Sequence, residues 1–296
     1  MSDEIINEDN VNKEKNLANF VEVLKASNVI FFDCDGTLFP SEEIWNESAL
    51  QVLKDLGVDP NKEQQEDGEW KPADHWKVFR GTEAAKAGGK NLFVAFSNSI
   101  LKTYEDKLKG VTPEQFEEKM RKYSLAALKT VHYKDNAEKL LQAFKDNGVK
   151  LVLVTMAEGE MIDALLNNEE SVKAGINKAF DVVIHGDMLP EGTKGKPDPA
   201  CYLMAVEKVK DLACEQLAED PSNKQAKKIL TPGGLTTAAF EDTKGGVEAA
   251  LSAYLLICAV PSKDGEPVKE NAAQEAGISV NNYGRLLKEY ENCEEE

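Results

Sequence analysis

The sequence predicts an α/β fold, with a Rossmann-like three-layer αβα core built on a parallel sheet and an α-helical domain inserted after the first strand. Three observations lead there. Short apolar runs recur at 29–32, 149–154, 180–184, 238–240 and 254–260, as expected of strands buried on both faces. From residue 134 onward these runs alternate with helical patterns, which implies right-handed crossovers and a parallel sheet covered on both sides. The first run is set apart from the others by a mostly helical stretch, 41–133, so the economical organisation is a core of 1–40 and 134–296 with a second domain at 41–133.

Taken in order, residues 1 to about 15 are polar and charged and are expected to fray. Leu17, Phe20, Val21 and Leu24 recur at helical spacing. Val29-Ile30-Phe31-Phe32 reads as a buried strand delivering Asp33 and Asp35 to a glycine-containing loop. Helices are expected at 44–56, 99–108 and 113–127, the last started by Thr112 as N-cap with Pro113 in the first turn, and few strands are evident in this region. The Gly-rich piece 81–89 reads as a loop. Beyond residue 134, Ala137, Leu140, Leu141 and Phe144 form one helix face, closed by Asn147-Gly148. Further helices are expected around Met161, Leu165 and Leu166, over 199–217 and over 247–253. No internal repeat is present.

The 296 residues include 42% hydrophobic ones, enough for a sizeable core. A net charge of −18, from 53 acidic against 35 basic side chains, argues against nucleic-acid binding and against adhesion to anionic membranes; the acid excess favours solubility. Five cysteines (Cys34, Cys201, Cys214, Cys258, Cys293) with no CxxC pair fit a reducing compartment rather than a disulfide framework or zinc site. No run approaches the ~20 apolar residues that span a bilayer, and the acidic start is unlike a signal peptide. A cytoplasmic protein, monomeric or weakly homo-oligomeric, is expected.

In an open parallel sheet ligands bind beyond the carboxyl ends of the strands. The polar residues there are Asp33 and Asp35, Thr155, and Glu241 with Asp242; Lys196 follows the third strand through the loop 190–195. Asp33 and Asp35 are two apart, so in an extended segment both side chains point the same way. Carboxylates such as Asp33 and Asp242 suit Mg2+, with Glu241 holding a coordinated water. A lysine and a threonine hydroxyl suit the peripheral oxygens of a phosphoryl group, and transfer through a carboxylate is a route to covalent catalysis.

These residues resemble the four motifs of the haloacid dehalogenase-like hydrolase superfamily, in its β-phosphoglucomutase and phosphoglycolate phosphatase-like branch. Asp33-Cys34-Asp35-Gly36-Thr37-Leu38 matches the first motif, the apolar run ending in Thr155 the second, Gly195-Lys196-Pro197-Asp198-Pro199 the third, and Phe240-Glu241-Asp242-Thr243-Lys244-Gly245-Gly246 the fourth. The resemblance covers about 28–40 and 134–262; the first and fourth motifs are specific, whereas a hydroxyl after a strand is a weak signal alone. It implies that Asp33 is the nucleophile that forms an aspartyl-phosphate. Asp35 would be the acid and base, and Thr155 and Lys196 would bind phosphoryl oxygens. Mg2+ would be held by Asp33, the Asp35 carbonyl and Asp242, with Glu241 in support. Gly36, Thr37 and Ala157, beside these residues, are taken as substrate-binding. Asp35 argues against dehalogenation, because family dehalogenases lack a carboxylate there.

The helical insertion is similar in position and size to the family's mobile cap, and Phe79-Arg80-Gly81-Thr82 resembles its specificity loop, making Arg80 the cap's substrate-binding candidate, with His75, Trp76 and Lys77 nearby. The chain departs from the family in the long spacing between Lys196 and Asp242, with a polar surplus around 215–234, and in the Gly-rich 87–91. The implied activity is Mg-dependent hydrolysis of a small phosphorylated metabolite of the sugar phosphate or phosphoglycolate type. The alternatives are a β-phosphoglucomutase-like phosphomutase, which uses the same catalytic set, and a non-catalytic phosphate-binding or regulatory protein, which would usually lack Asp33 or Asp35. By the plainer reading, His75 and His132 are surface or boundary residues, His185 lines a turn, Cys34 is core, and the Met and Phe residues of the insertion form its own core.

Overall fold

The computed structural model describes residues 8–64, 70–80, 82, 92–173, 175–262 and 267–292. Helix α1 (Glu8–Ala26) leads into β1 (Val29–Phe32), and α2 (Glu42–Asp55) follows the loop after β1. The expected frayed end is helical from Glu8; Glu8–Ala26 contains no Gly or Pro to interrupt the helix. Next come β2 (Lys62–Gln64), β3 (Trp70–Pro72), α3 (His75–Arg80), α4 (Leu92–Thr103) and α5 (Pro113–Leu128). Strands β2 and β3 pair as an antiparallel ribbon; neither carries the apolar alternation that would mark a strand in sequence. Helix α4 begins earlier than expected because Phe93, Phe96 and Ile100 set its buried face. Thr112 caps α5 by accepting from the Gln115 N–H while Gln115 reaches back, a full capping box.

The chain then alternates: α6 (Ala137–Asp146), β4 (Lys150–Val154), α7 (Gly159–Leu166), α8 (Glu169–Lys173), β5 (Val182–Ile184), α9 (Ala200–Glu219), α10 (Lys224–Leu230), β6 (Thr237–Glu241), α11 (Lys244–Ser252), β7 (Leu256–Ala259), α12 (Glu270–Ala276) and α13 (Tyr283–Asn292). The surplus around 215–234 is thus the end of a long helix and a second short one, α10. The sheet runs β5-β4-β1-β6-β7, every pairing parallel. β1 is central and buried on both faces, which is why it reads as an unbroken apolar run.

Period-two alternation divides the core. Ile30, Phe32, Leu153 and Phe240 face α1, α6 and α13, where Phe32 stacks on Phe240 at 4.8 Å. Val29, Phe31, Val152 and Ala239 face α9 and α11. The first of these clusters continues into Trp45, Phe93 and Phe116 of the helical insertion. Among the described residues no helix is long and apolar enough to cross a membrane. Cys34, Cys201 and Cys258 are buried free thiols, and Cys214 is exposed and free.

Candidate active site

Register assembles the site. Phe32 lies between Leu153 and Phe240, so the next residue, Asp33, emerges level with Val154 and Glu241, one residue short of Thr155 and Asp242. The chain after Asp33 folds into a tight loop: the Leu38 and Phe39 N–H groups donate to Cys34 O at 2.9 and 3.2 Å, and the Gly36 N–H donates to Phe39 O at 2.7 Å. Gly36 has φ +76°, and a Cβ there would lie 2.5 Å from Asp242 Oδ2, so both conformation and space demand glycine.

Asp33 Oδ1 accepts from Lys196 Nζ at 2.6 Å and Oδ2 from the Thr37 hydroxyl at 3.0 Å. Lys196 also donates to Val154 O (3.0 Å) and Glu241 Oε1 (2.6 Å) and lies 5.0 Å above the Tyr202 ring. The Tyr202 hydroxyl donates to the same Glu241 oxygen at 2.5 Å. Asp242 Oδ2 accepts from Ser262 Oγ and Lys269 Nζ, both at 2.9 Å. Thr155 is buried and its Oγ1 accepts from the Ala157 N–H at 3.0 Å. Asp35 Oδ1 accepts from the Ser41 hydroxyl.

One oxygen each from Asp33, Glu241 and Asp242 fall within 4.8 Å of one another, all buried. Glu241 Oε2 and Asp242 Oδ1 are buried without a hydrogen-bond partner. Burying an anionic oxygen unpaired is costly, and an all-carboxylate donor set suits a hard divalent cation rather than zinc. The residues therefore fit Mg2+.

Electrostatics follow from burial and crowding. Burial raises the Asp33 pKa and the nearby Asp242 charge adds to this, while Lys196 and the Thr37 hydrogen bond oppose it. Burial and then the Asp33 charge push Glu241 up to about 8, against the pull of Lys196. Burial disfavours the Lys196 ammonium, yet Asp33 and Glu241 more than offset it and hold its pKa well above the ordinary lysine value.

Asp33, Asp35, Thr155, Ala157, Lys196 and Asp242 line one cavity of about 430 Å³. Gly36 and Thr37 do not line it: they shape the loop behind Asp33. Glu241 also lies behind the cavity wall, held by Lys196 and Tyr202. Arg80 ends α3, but its side chain, like all of Gly81 and 83–91, lies outside the described residues. His75 is buried rather than at the surface, its Nε2 3.0 Å from the Tyr104 hydroxyl. Trp76 lines the cavity, Lys77 and His132 are exposed, and His185 packs against Gly159.

Sequence reasoning missed Tyr202, Ser262, Lys269 and Lys134. Lys134 is buried and donates to Gly36 O (3.3 Å) and to Pro261 O. No local pattern marks these residues, since each acts on a partner far along the chain.

Comparison with known proteins adds the family. The model of haloacid dehalogenase-like hydrolases matches residues 28–253. A search of curated proteins found no match. Among solved structures, a predicted phosphoglycolate phosphatase from Haemophilus somnus is similar at 20% identity and a TM-score of 0.58, covering 89% of this chain and 97% of its own. A mutant of CbbY from Rhodobacter sphaeroides in complex with xylulose-1,5-bisphosphate is similar at 19% and 0.56, covering 87% and 95%. The β-phosphoglucomutase of Clostridium difficile is similar at 15% and 0.56, covering 90% and 98%. These likenesses are of fold. The family match spans four of the five sheet strands, all but β7, and every strand-end residue described above, and by it this chain belongs to the haloacid dehalogenase-like hydrolases.

Proposed function

We propose that the protein is a Mg-dependent phosphatase that hydrolyses a small phosphorylated metabolite through an aspartyl-phosphate on Asp33. The observation that carries this reading is the buried cluster of Asp33, Glu241 and Asp242, bridged by Lys196 and left with two unpaired carboxylate oxygens beside a cavity.

Asp33 attacks phosphorus with a lone pair not engaged by Lys196 or Thr37, and the bond to the leaving alkoxide breaks. Asp35, oriented by Ser41, protonates that alkoxide. It then takes a proton from water, whose oxygen attacks the aspartyl-phosphate and restores Asp33. Thr155, the Ala157 backbone and Lys196 bind the peripheral oxygens. Mg2+ held by Asp33, Asp242 and the Asp35 carbonyl, with Glu241 in support, would supply counter-charge for the phosphoryl oxygens. Residues 1–40 and 134–296 form the catalytic core in this reading. Residues 41–133 form a cap that covers the substrate and excludes water, with Arg80 as its substrate contact.

The test is inorganic phosphate release from sugar phosphates, phosphoglycolate and p-nitrophenyl phosphate, with magnesium and with chelator. Release is expected to require magnesium and to fall by about 10³-fold or more in Asp33→Asn. Release that survives Asp33→Asn, or no release from any monoester, would sink the reading. Interconversion of sugar phosphate isomers without net release would point to a mutase.

A further inference from the structure

The cavity has two unlike walls. One is the catalytic set; the other is built by the helical insertion from Trp45 of α2, Trp76 and Phe79 of α3, and Leu92 and Phe93 of α4. Trp76 and Phe93 lie nearly parallel, 5.7 Å apart at 12°, and Trp45 meets Phe93 at 4.8 Å. Phe96 locks Trp76 edge-on from behind at 4.9 Å. The aromatic wall is therefore mostly buried and preorganised, with only its cavity-facing edges available for contact.

Charge is distributed just as unevenly. Among the described residues lining the cavity, the ammonium groups are those of Lys196 and Lys244. Lys196 is engaged by Asp33 and Glu241, both at 2.6 Å. Lys244 lies 3.5 Å from Glu248. Glu42, 3.7 Å from Lys269, also lines the cavity, as does Glu248. Beyond the phosphoryl position, a second anionic group on the substrate would be desolvated against indole and phenyl rings and would meet ammonium groups already paired with carboxylates. An apolar surface would instead gain contact with the rings.

We propose that the substrate is a phosphate monoester whose alcohol carries an apolar face, packed against Trp45, Trp76 and Phe93, and bears no second anionic group. This rests on the phosphatase reading and narrows it: sugar monophosphates and aryl or alkyl phosphates fit, whereas phosphoglycolate and bisphosphates do not. Trp76 is the specificity-determining residue, and Glu248, by pairing with Lys244, keeps that ammonium from a second anionic group.

The test compares kcat/KM for 2-phenylethyl phosphate and phosphoglycolate, both esters of alkyl alcohols, with p-nitrophenyl phosphate as the control for activity. The expected result is at least a tenfold preference for 2-phenylethyl phosphate. Trp76→Ala should lower its kcat/KM by about tenfold and leave phosphoglycolate within twofold. Should Trp76→Ala fail to fold, Glu248→Gln serves, because its side chain is partly exposed and the change frees Lys244. It should raise kcat/KM for phosphoglycolate several-fold relative to that for 2-phenylethyl phosphate. A preference for phosphoglycolate, above all one abolished by Arg80→Ala, overturns the inference but keeps the phosphatase reading. Failure of both alkyl esters while p-nitrophenyl phosphate is hydrolysed overturns it as well. No release from any of the three sinks the phosphatase reading itself.

Discussion

A Cβ on Gly246 would collide with Glu241 Oε2, the buried carboxylate oxygen that has no hydrogen-bond partner. Gly246→Ala is therefore expected to destabilise by about 1–3 kcal/mol, read as a lower urea midpoint, and to raise the magnesium concentration needed for activity. Asp242 shows the complementary device. Ser262 and Lys269 both hold Oδ2, which fixes the carboxylate and leaves the buried Oδ1 without a partner. Removing a group that orients a metal ligand typically weakens metal binding about tenfold or more. Ser262→Ala should raise the half-saturating magnesium concentration by about that factor in a titration of phosphate release, with Vmax little changed. An unchanged magnesium requirement would mean that Ser262 does not orient a metal ligand.

At the scale of elements, the loop carrying Asp33 is braced from beneath by residues distant in sequence. The Tyr283 hydroxyl of α13 donates to Thr37 O at 2.9 Å, and Lys134 Nζ, 5.6 Å from the Tyr283 ring, reaches Gly36 O. Tyr283, Leu286, Leu287 and Tyr290 are buried at helical spacing and seat α13 in the cluster with Phe32, Phe144 and Phe240. Tyr283→Phe should cost about 1 kcal/mol, one hydrogen bond. Leu286→Ala should cost about 2–5 kcal/mol. Both would be read from urea midpoints; equal small effects would show that α13 is not part of the cooperative core. The spacing of α13 is helical in the sequence, but the elements read from it end with the strand at 254–260, and this helix was not picked out. The β2–β3 ribbon was not legible, because Lys62–Gln64 and Trp70–Pro72 carry no apolar alternation and gain their pairing only from each other.

For the whole molecule, the excess of acid seen in the net charge of −18 is sharpest at the site, where Asp33, Glu241 and Asp242 crowd together. A ligand bound only by the folded state stabilises it by about 2.7 kcal/mol at a hundredfold excess over Kd. Magnesium should accordingly raise the thermal midpoint by about 5 °C, and Asp242→Asn should abolish the rise. A rise matched by sodium chloride at equal ionic strength would reflect general screening and count against a specific site.

The amino-acid sequence by itself determined what depends on near neighbours. Apolar runs and helical spacings set the order of strands and helices, and the ends of β1, β4 and β6 and the loop after β5 delivered the polar residues. For that reason Asp33, Asp35, Thr155, Lys196, Glu241 and Asp242 could be picked out before any distance was known. Tertiary structure decided what depends on contacts between residues far apart in the chain. It placed Lys196 between Asp33 and Glu241, brought Tyr202 under Glu241, and carried Lys269 back to Asp242. It also brought aromatic residues of the insertion into one cavity with Asp33, Asp35 and Asp242. Local pattern records which face of an element is buried; only packing settles which oxygens are left without a partner, and those oxygens are where the chemistry proposed here begins.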